Sequence, residues 1–548
     1  MNKTSHLLPF LFLSLFACHH TERGGSTTAD SVAFNSITEA GITSYVKDLS
    51  ADDFQGRKPF TEGERKTITY LKDAFEQIGL VAGNGQSFFQ EVPMVEITST
   101  PPPTLTFKRG NEGIHFKLLD EFVMGSRRVQ PQIDVAQSEV VFAGFGIVAP
   151  EFHWNDYEGL DVKGKTVVVM VNDPGFYDNS LFKGKTMTYY GRWTYKYEEA
   201  ARQGAAGVLI IHDTDAASYG WNVVRSGWSG PQLNLQTTDN GASQCAFEGW
   251  LSADATKRLF TFAGISADVI EQAKKPGFKP IDLHITTGTN IKQKTKKSMS
   301  NNVVAKITGS KRPEECIIYS AHWDHLGIGE AIAGDSVYNG AADNATGLAG
   351  LLEIAKAFQA AHTPPERSIL FIALTGEEEG LLGSEHYATH PLFPLAKTVA
   401  DINVDMLYPI GRTHDLIVTG LGQSEMDDYA KRAAEKQGRT IKPDSNPSAG
   451  HFFRSDHFNF AKVGVPALYL STGDDVIGRG ETFGLTQKED FNEHRYHQPA
   501  DEFNETWKLD GMVEDLRLLF DVGYTLSMET GFPQWKEGSE FKSIGEKR

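Results

Sequence analysis

The sequence predicts an α/β layered fold built on a largely parallel sheet. Two observations carry that assignment, and a third says where its working edge lies. From "NNVVAKITG" onward, strand-like runs ("CIIYSA", "ILFIAL", "TVADINV", "PALYLS") alternate with helix-like runs ("NATGLAGLLEIAKAFQAA", "MDDYAKRAAEKQG", "DLRLLFDVGYTLSM"). Strands alternating with helices imply a parallel sheet covered by helices. The chain has 548 residues, 40% hydrophobic and 23% charged, enough for a large core and two or more domains. Several strand-like runs are followed by polar residues of metal-ligand type, and sites in such sheets form outside the carboxyl ends of the strands.

The elements follow in order. "MNKTSHLLPFLFLSLFAC" has one lysine before an apolar run from Leu7 to Ala17. That run is too short to span a membrane and has the form of an export signal. Its end resembles a bacterial lipobox, with Leu15 and Ala17 flanking the site and Cys18 as the lipidated residue. Phe16 is bulkier than that pattern usually carries, so ordinary signal cleavage is the alternative. Residues 1–18 are assigned to this signal and 19–35 to a flexible tether.

Residues 36–134 begin the main domain. Ser36 with Glu39, and Thr61 with Glu64, have capping-box spacing. The second start leads into an apolar stripe of Ile68, Leu71, Phe75 and Ile78, with Gly79 as the stop. Residues 135–290 form a distinct block, with strand-like "SEVVFAGFGIV" and "GKTVVVMVND" and a helix-to-strand unit in "KYEEAARQGAAGVLIIHD". No close pair of metal-type spacing stands beside a strand end there, which points to a structural or substrate-shaping module. Residues 291–535 hold the alternating pattern, and 536–548 form a C-terminal tail.

A net charge of −18 and a pI near 5.4 argue against a nucleic-acid partner. Besides Cys18 there are only Cys245 and Cys316. An exported protein could pair them, whereas Cys316 in "ECIIYSA" reads as a small buried hydrophobe.

Polar residues gather after the strands. "IIYSA" is followed by "HWDHLG" with His322 and Asp324, "ILFIAL" by "TGEEEG", and "ADINV" by Asp405. "YNGAADNATG" places Asp343 before a helix, and "HRYHQPAD" offers Tyr496 and His497. Each element alone is a modest signal; delivery to one sheet edge makes them a metal site. Two histidines with carboxylates suit zinc, and the lack of cysteine argues against a closed structural zinc site. A shared carboxylate can bridge two ions about 3.5–4 Å apart.

In order, "SAHWDHLG", "NGAADNATG", "TGEEEGLLGS", "INVDM" and "YHQPAD" resemble the motifs of the M28 metallopeptidases, the di-zinc aminopeptidase family, over about residues 36–130 and 290–530. Residues 135–290 resemble an inserted protease-associated (PA) domain. The resemblance implies a zinc-aminopeptidase-like three-layer α/β/α domain with a mostly parallel mixed sheet, plus a β-rich insertion. It implies His322 and Asp405 on one Zn2+, Glu378 and His497 on the other, and Asp343 bridging the two. Glu377 would be the general base, Asp324 the acid that orients His322, and Tyr496 a donor to the developing oxyanion. Glu379 falls at a variable position and reads as a solvated acid. His325 has no ligand counterpart and reads as loop or pocket structure. "FRSDHFNF", around Asp456 and His457, resembles a loop near the substrate pocket, without a catalytic role.

The implied activity is that of a zinc exopeptidase, an aminopeptidase acting on peptides. Carboxypeptidase, dipeptidase or glutaminyl cyclase activity on the same scaffold is the alternative, and a receptor-like protein without catalysis the third reading. The expected location is the bacterial cell envelope, as an outer-membrane lipoprotein facing periplasm or exterior, or secreted. Membrane contact is expected only through the lipid anchor. Side-chain specificity and oligomeric state are not legible.

Overall fold

A computed structural model describes residues 31–548 other than Ala267. Cys18 and the expected signal segment lie outside the described residues. Among the described residues no helix is long and apolar enough to cross a membrane.

The catalytic-type domain is the expected mixed, mostly parallel sheet. In spatial order its strands are Ile281–Ile307, Arg367–Leu374, Arg312–His322, Thr398–Asn403, Ala467–Thr472, Asp415–Thr419 and Thr440–Pro443. The four strands from Arg367–Leu374 to Ala467–Thr472 run parallel, and Ile281–Ile307 and Asp415–Thr419 join antiparallel. Arg367–Leu374 is buried along its whole length, as a parallel strand covered on both faces must be.

The pleat sorts side chains by face. Ile317, Tyr319, Ala321, Ile369, Phe371 and Ala373 point to one side, against helices Thr346–Ala360 and Asp510–Met528. Ile318, Leu370, Ile372 and Leu374 point to the other, with Tyr387 and Phe460 from helices Leu382–Thr389 and His457–Lys462. Each fully buried side chain of this size contributes about 1.5–3 kcal/mol relative to exposure, so the two covered faces hold the three layers together.

Helix Glu62–Ile78 starts on the Thr61 hydroxyl, which accepts from the Gly63 N–H, and stops at Gly79 with φ 97°. Ser36 does not cap the preceding helix: that start is Thr38, whose side chain accepts from Gly41.

Three boundaries differ from the sequence reading. The helix Ser31–Ser36 takes up the last five residues of the stretch 19–35 expected as tether, because Ala33 is buried in the main core and Phe34 packs edge-on to Phe520. The inserted block has its own core, and Leu105, Phe107, Phe116 and Phe122 belong to it. It therefore starts near residue 104 rather than 135. Its end at 290 falls inside the 27-residue strand Ile281–Ile307, whose first part pairs with the block and whose last part pairs with the catalytic-type sheet. The C-terminal stretch 536–548 is not a free tail. Phe541 is buried with Trp535, Phe452, Phe458 and Met187 of the inserted block, and Lys183 of the block pairs with Glu540.

Cys245 and Cys316 are free and buried in separate cores, so the considered pairing is absent. Burial pushes the Cys245 thiol up to about 12 and Cys316 higher still.

Candidate metal centre

The parallel register sets the site. His322 ends its strand level with Leu374, and Ser320 is level with Asn403. The carboxyl ends of three strands thus deliver His322, the glutamates and Asp405 to one edge. Between Leu374 and the next helix the chain must reverse sharply. Gly376 (φ 66°) and Gly380 (φ 111°) permit this, and the Gly380 and Leu381 N–H groups close the turn on the Glu377 carbonyl.

Asp343 sits in the irregular turn Ala341–Ala345 that opens helix Thr346–Ala360, and its peptide bond to Asn344 is cis. His497 comes from the far rim, with φ 57°, a left-handed conformation uncommon outside glycine and frequent at functional sites.

The five expected ligands meet. Asp343 Oδ1 lies 3.1 Å from His322 Nε2, and Asp405 Oδ1 lies 3.3 Å from the same nitrogen. Asp343 Oδ2 lies 3.3 Å from His497 Nε2, and Glu378 Oε2 lies 3.1 Å from it. His322, Asp343 and Glu378 each place one ligand atom within 4.8 Å of the others. The sheet side is closed, with His322 1% exposed, whereas the His497 side chain is 36% exposed. The site opens past His497 and Tyr496, whose rings stack at 3.9 Å.

The donor set fits a cation. His322 Nδ1 lies 3.0 Å from the backbone oxygen of Asp324. A carbonyl only accepts, so Nδ1 carries a hydrogen and Nε2 is the nitrogen that faces the Asp343 and Asp405 carboxylates. His497 Nε2 has no aligned hydrogen-bond partner despite its two near carboxylates. Carboxylate oxygens facing ring nitrogens suit a positive ion among them.

Electrostatics say the same. Burial acts against charge on His322, yet Glu377 and Asp405 hold its imidazole well above the ordinary range. Burial works against the Asp343 carboxylate, but the two histidines hold it well below. Burial and Asp343 oppose ionisation of Glu378, while His325 and His497 bring it to about 2. Burial pushes the half-buried Glu377 carboxyl well above its usual range, with Asp405 and Glu378 adding to it.

Asp324 departs from its expected role. Its carboxylate is 3.9 Å from His322 Nδ1; the backbone carbonyl orients the ring instead. The carboxylate accepts the N–H groups of Glu377 (3.1 Å) and Glu378 (3.3 Å), so it fixes the glutamate turn. Glu379 is exposed, as read.

Four supporting residues were not assigned these roles from sequence. Arg57, fully buried, donates to the carbonyls of Trp323, Leu49, Asn339, Gly340 and Asp343, tying two ligand loops together. Asp501 accepts the Ala342 and Asp343 N–H groups. Ser455 donates to Asp405 Oδ2 and receives the Asn403 amide. His325 Nδ1 lies 2.6 Å from Glu378 Oε1. "YHQPAD" and "FRSDHFNF" contain two of these residues, but nothing in residue type or spacing shows which backbone groups they reach.

With the geometry in place, comparisons with known proteins agree. Residues 302–520 match Peptidase family M28. Aminopeptidase YwaD of Bacillus subtilis (strain 168) is 30% identical over 214 residues, 37% of this chain and 41% of that protein. A probable zinc metalloprotease of Pyrenophora teres f. teres (strain 0-1) is 37% identical over 106 residues, 19% of this chain and 22% of its own. The chain thus spans less than half the length of these two curated relatives. The solved aminopeptidase from Aneurinibacillus sp. strain AM-1 aligns with a TM-score of 0.47 at 20% identity, covering 90% of this chain and 95% of that chain. The ordered motifs that meet at one sheet edge fall within the stretch, residues 302–520, that matches peptidase family M28.

Proposed function

We propose that the protein is a zinc-dependent exopeptidase, acting as an aminopeptidase that releases N-terminal residues. The observation that carries this is the division of Asp343. One of its oxygens faces His322 and Asp405, and the other faces the His497–Glu378 pair. His322 and Asp405 would hold one zinc, Glu378 and His497 the second, with Asp343 shared. The nitrogen and oxygen donors and the absence of cysteine suit zinc, and one relative is named a zinc metalloprotease. When bound, two such ions polarise a peptide carbonyl and lower the pKa of water.

The side chains supply the rest. Glu377 takes a proton from the attacking water and passes it to the leaving amine nitrogen. The Tyr496 hydroxyl, at the open rim, donates a hydrogen bond to the developing oxyanion. Asp324 keeps Glu377 and Glu378 in one fixed turn through their N–H groups. The choice of the amino end follows the activity named for YwaD. Export through the N-terminal segment, lipidation of Cys18 and a PA-type identity for the inserted block complete the reading.

The test pairs two variants. Glu377→Gln should keep its zinc and lose about 10²–10⁴-fold in turnover, the usual range for a general acid–base group. Asp343→Ala should lose zinc itself. Near-normal turnover of zinc-loaded Glu377→Gln would remove the assigned base, and unchanged zinc content in Asp343→Ala would remove the shared ligand.

A further inference from the structure

We propose that His325 is a positioning residue that holds one oxygen of Glu378 and so presents the other to the metal; this rests on the zinc reading above. His325 is 1% exposed. Its Nδ1 lies 2.6 Å from Glu378 Oε1. An ionised carboxylate only accepts, so Nδ1 carries the hydrogen in this bond. The other oxygen, Oε2, faces His497 at 3.1 Å. A carboxylate free to turn about its last bond can offer a metal either oxygen or both. Fastening Oε1 leaves Oε2 as the one oxygen directed at the ligand group.

Two further contacts show that the fold accommodates this ring at this place. His325 meets His497 edge to face, with centroids 5.7 Å apart at 71°. One side chain therefore touches both Glu378 and His497, the two residues proposed to share one ion. Gly340 forms part of the wall beside it, at φ 58°, and a Cβ there would stand 2.2 Å from the Asp343 carbonyl oxygen and 2.7 Å from both Arg57 Nη2 and His325 Cδ2. A side chain at residue 340 would crowd the Asp343 backbone, Arg57 and this ring together. That wall is itself fixed, because Arg57 donates to the Gly340 carbonyl at 2.8 Å. The short bond to Glu378 and the edge contact with His497 are the observations that set His325 apart from a spacer in this loop.

Metal ligands fastened by an outer hydrogen bond lose about 10–100-fold in affinity when that bond is removed. The experiment is zinc titration of the metal-free full chain against a chromophoric chelator. Wild type, His325→Ala and His325→Asn are compared, with thermal melting of each metal-free protein alongside. The amide nitrogen of Asn can stand where Nδ1 stands and donate to Oε1, whereas Ala cannot. His325→Ala should weaken one zinc-binding step by about 10–100-fold and leave the other within about threefold. His325→Asn should recover most of the loss, and the metal-free melting temperatures should agree.

Unchanged affinity in His325→Ala overturns the proposal. So does an Asn variant as impaired as the Ala variant, since the ring would then be acting by packing alone. An equal loss in both steps together with a lower metal-free melting temperature also overturns it, as a structural role. Wild-type protein that takes up no zinc removes the zinc reading itself, a failure distinct from these.

Discussion

Asp501 offers a quantitative test of how the ligand loop is held. It is fully buried, and its carboxylate accepts the Ala342 N–H at 2.9 Å and the Asp343 N–H at 3.0 Å. Burial pushes its carboxyl up to about 6, against the pull of those two N–H groups. Asp501→Ala leaves both donors buried without that partner. Hydrogen bonds to a charged group contribute about 1.5–3 kcal/mol each. Two of them give roughly 3–6 kcal/mol, an upper bound because the loop relaxes and the retained Ala341 N–H to Asp501 carbonyl bond (2.9 Å) still anchors it. At about 1.4 kcal/mol per tenfold, realising half of this on the metal-bound state weakens zinc binding about 10–100-fold.

Asp501→Asn is a sharper probe than its shape suggests. Its amide oxygen at the Oδ2 place can still accept both N–H groups, but its NH2 at the Oδ1 place faces the Ala342 N–H, so it should fall between wild type and Asp501→Ala. The assay is chelator competition for zinc on each variant, with circular dichroism to verify the fold. Affinity in Asp501→Ala within twofold of wild type would refute the claim that this carboxylate holds the ligand turn.

Further expectations concern the buried frame. Arg57→Met should lower the melting temperature of the metal-free protein and weaken zinc binding together. Five backbone carbonyls lose their donor, and a hydrogen bond to a charged group contributes about 1.5–3 kcal/mol; an unchanged melting temperature would contradict this. His457 is buried between Phe452 and Tyr469, and burial pushes it down to about 3. The unfolded chain then binds a proton that the folded ring refuses, so its contribution to stability is lost as pH falls from about 6.5 toward 3. Below pH 6.5 wild type should lose stability about 1.4 kcal/mol per pH unit faster than His457→Phe. Parallel melting-versus-pH curves for the two would show that the ring titrates normally.

Local pattern made much of this molecule legible. The parallel strands announced themselves as β-branched runs, and His322, Asp343, Glu378, Asp405 and His497 stood at their ends or in adjoining loops. What the pattern missed depends on long-range contact. Arg57 reads as one more charge in "FQGRKPF", because its partners are backbone carbonyls at Trp323 and 339–343, far along the chain. Asp324 was expected to bond the imidazole two residues back. Instead its carboxylate reaches the glutamate turn, and its own carbonyl takes the ring hydrogen. The inserted block was placed too late, since the strands Thr104–Arg109 and Glu112–Lys117 carry only short alternating runs. Their membership in the second core is decided by Phe107 and Phe116 packing edge-on at 5.7 Å.

The central claim is hydrolysis from the amino end at a metal centre. Its most direct test is mass spectrometry of the products from a mixed set of unblocked peptides, with and without a chelator. The account predicts a ladder trimmed residue by residue from the amino terminus, abolished by chelation and restored by zinc. Trimming from the carboxyl end, cleavage of dipeptides alone, or loss of ammonia from N-terminal glutamine without hydrolysis would contradict it.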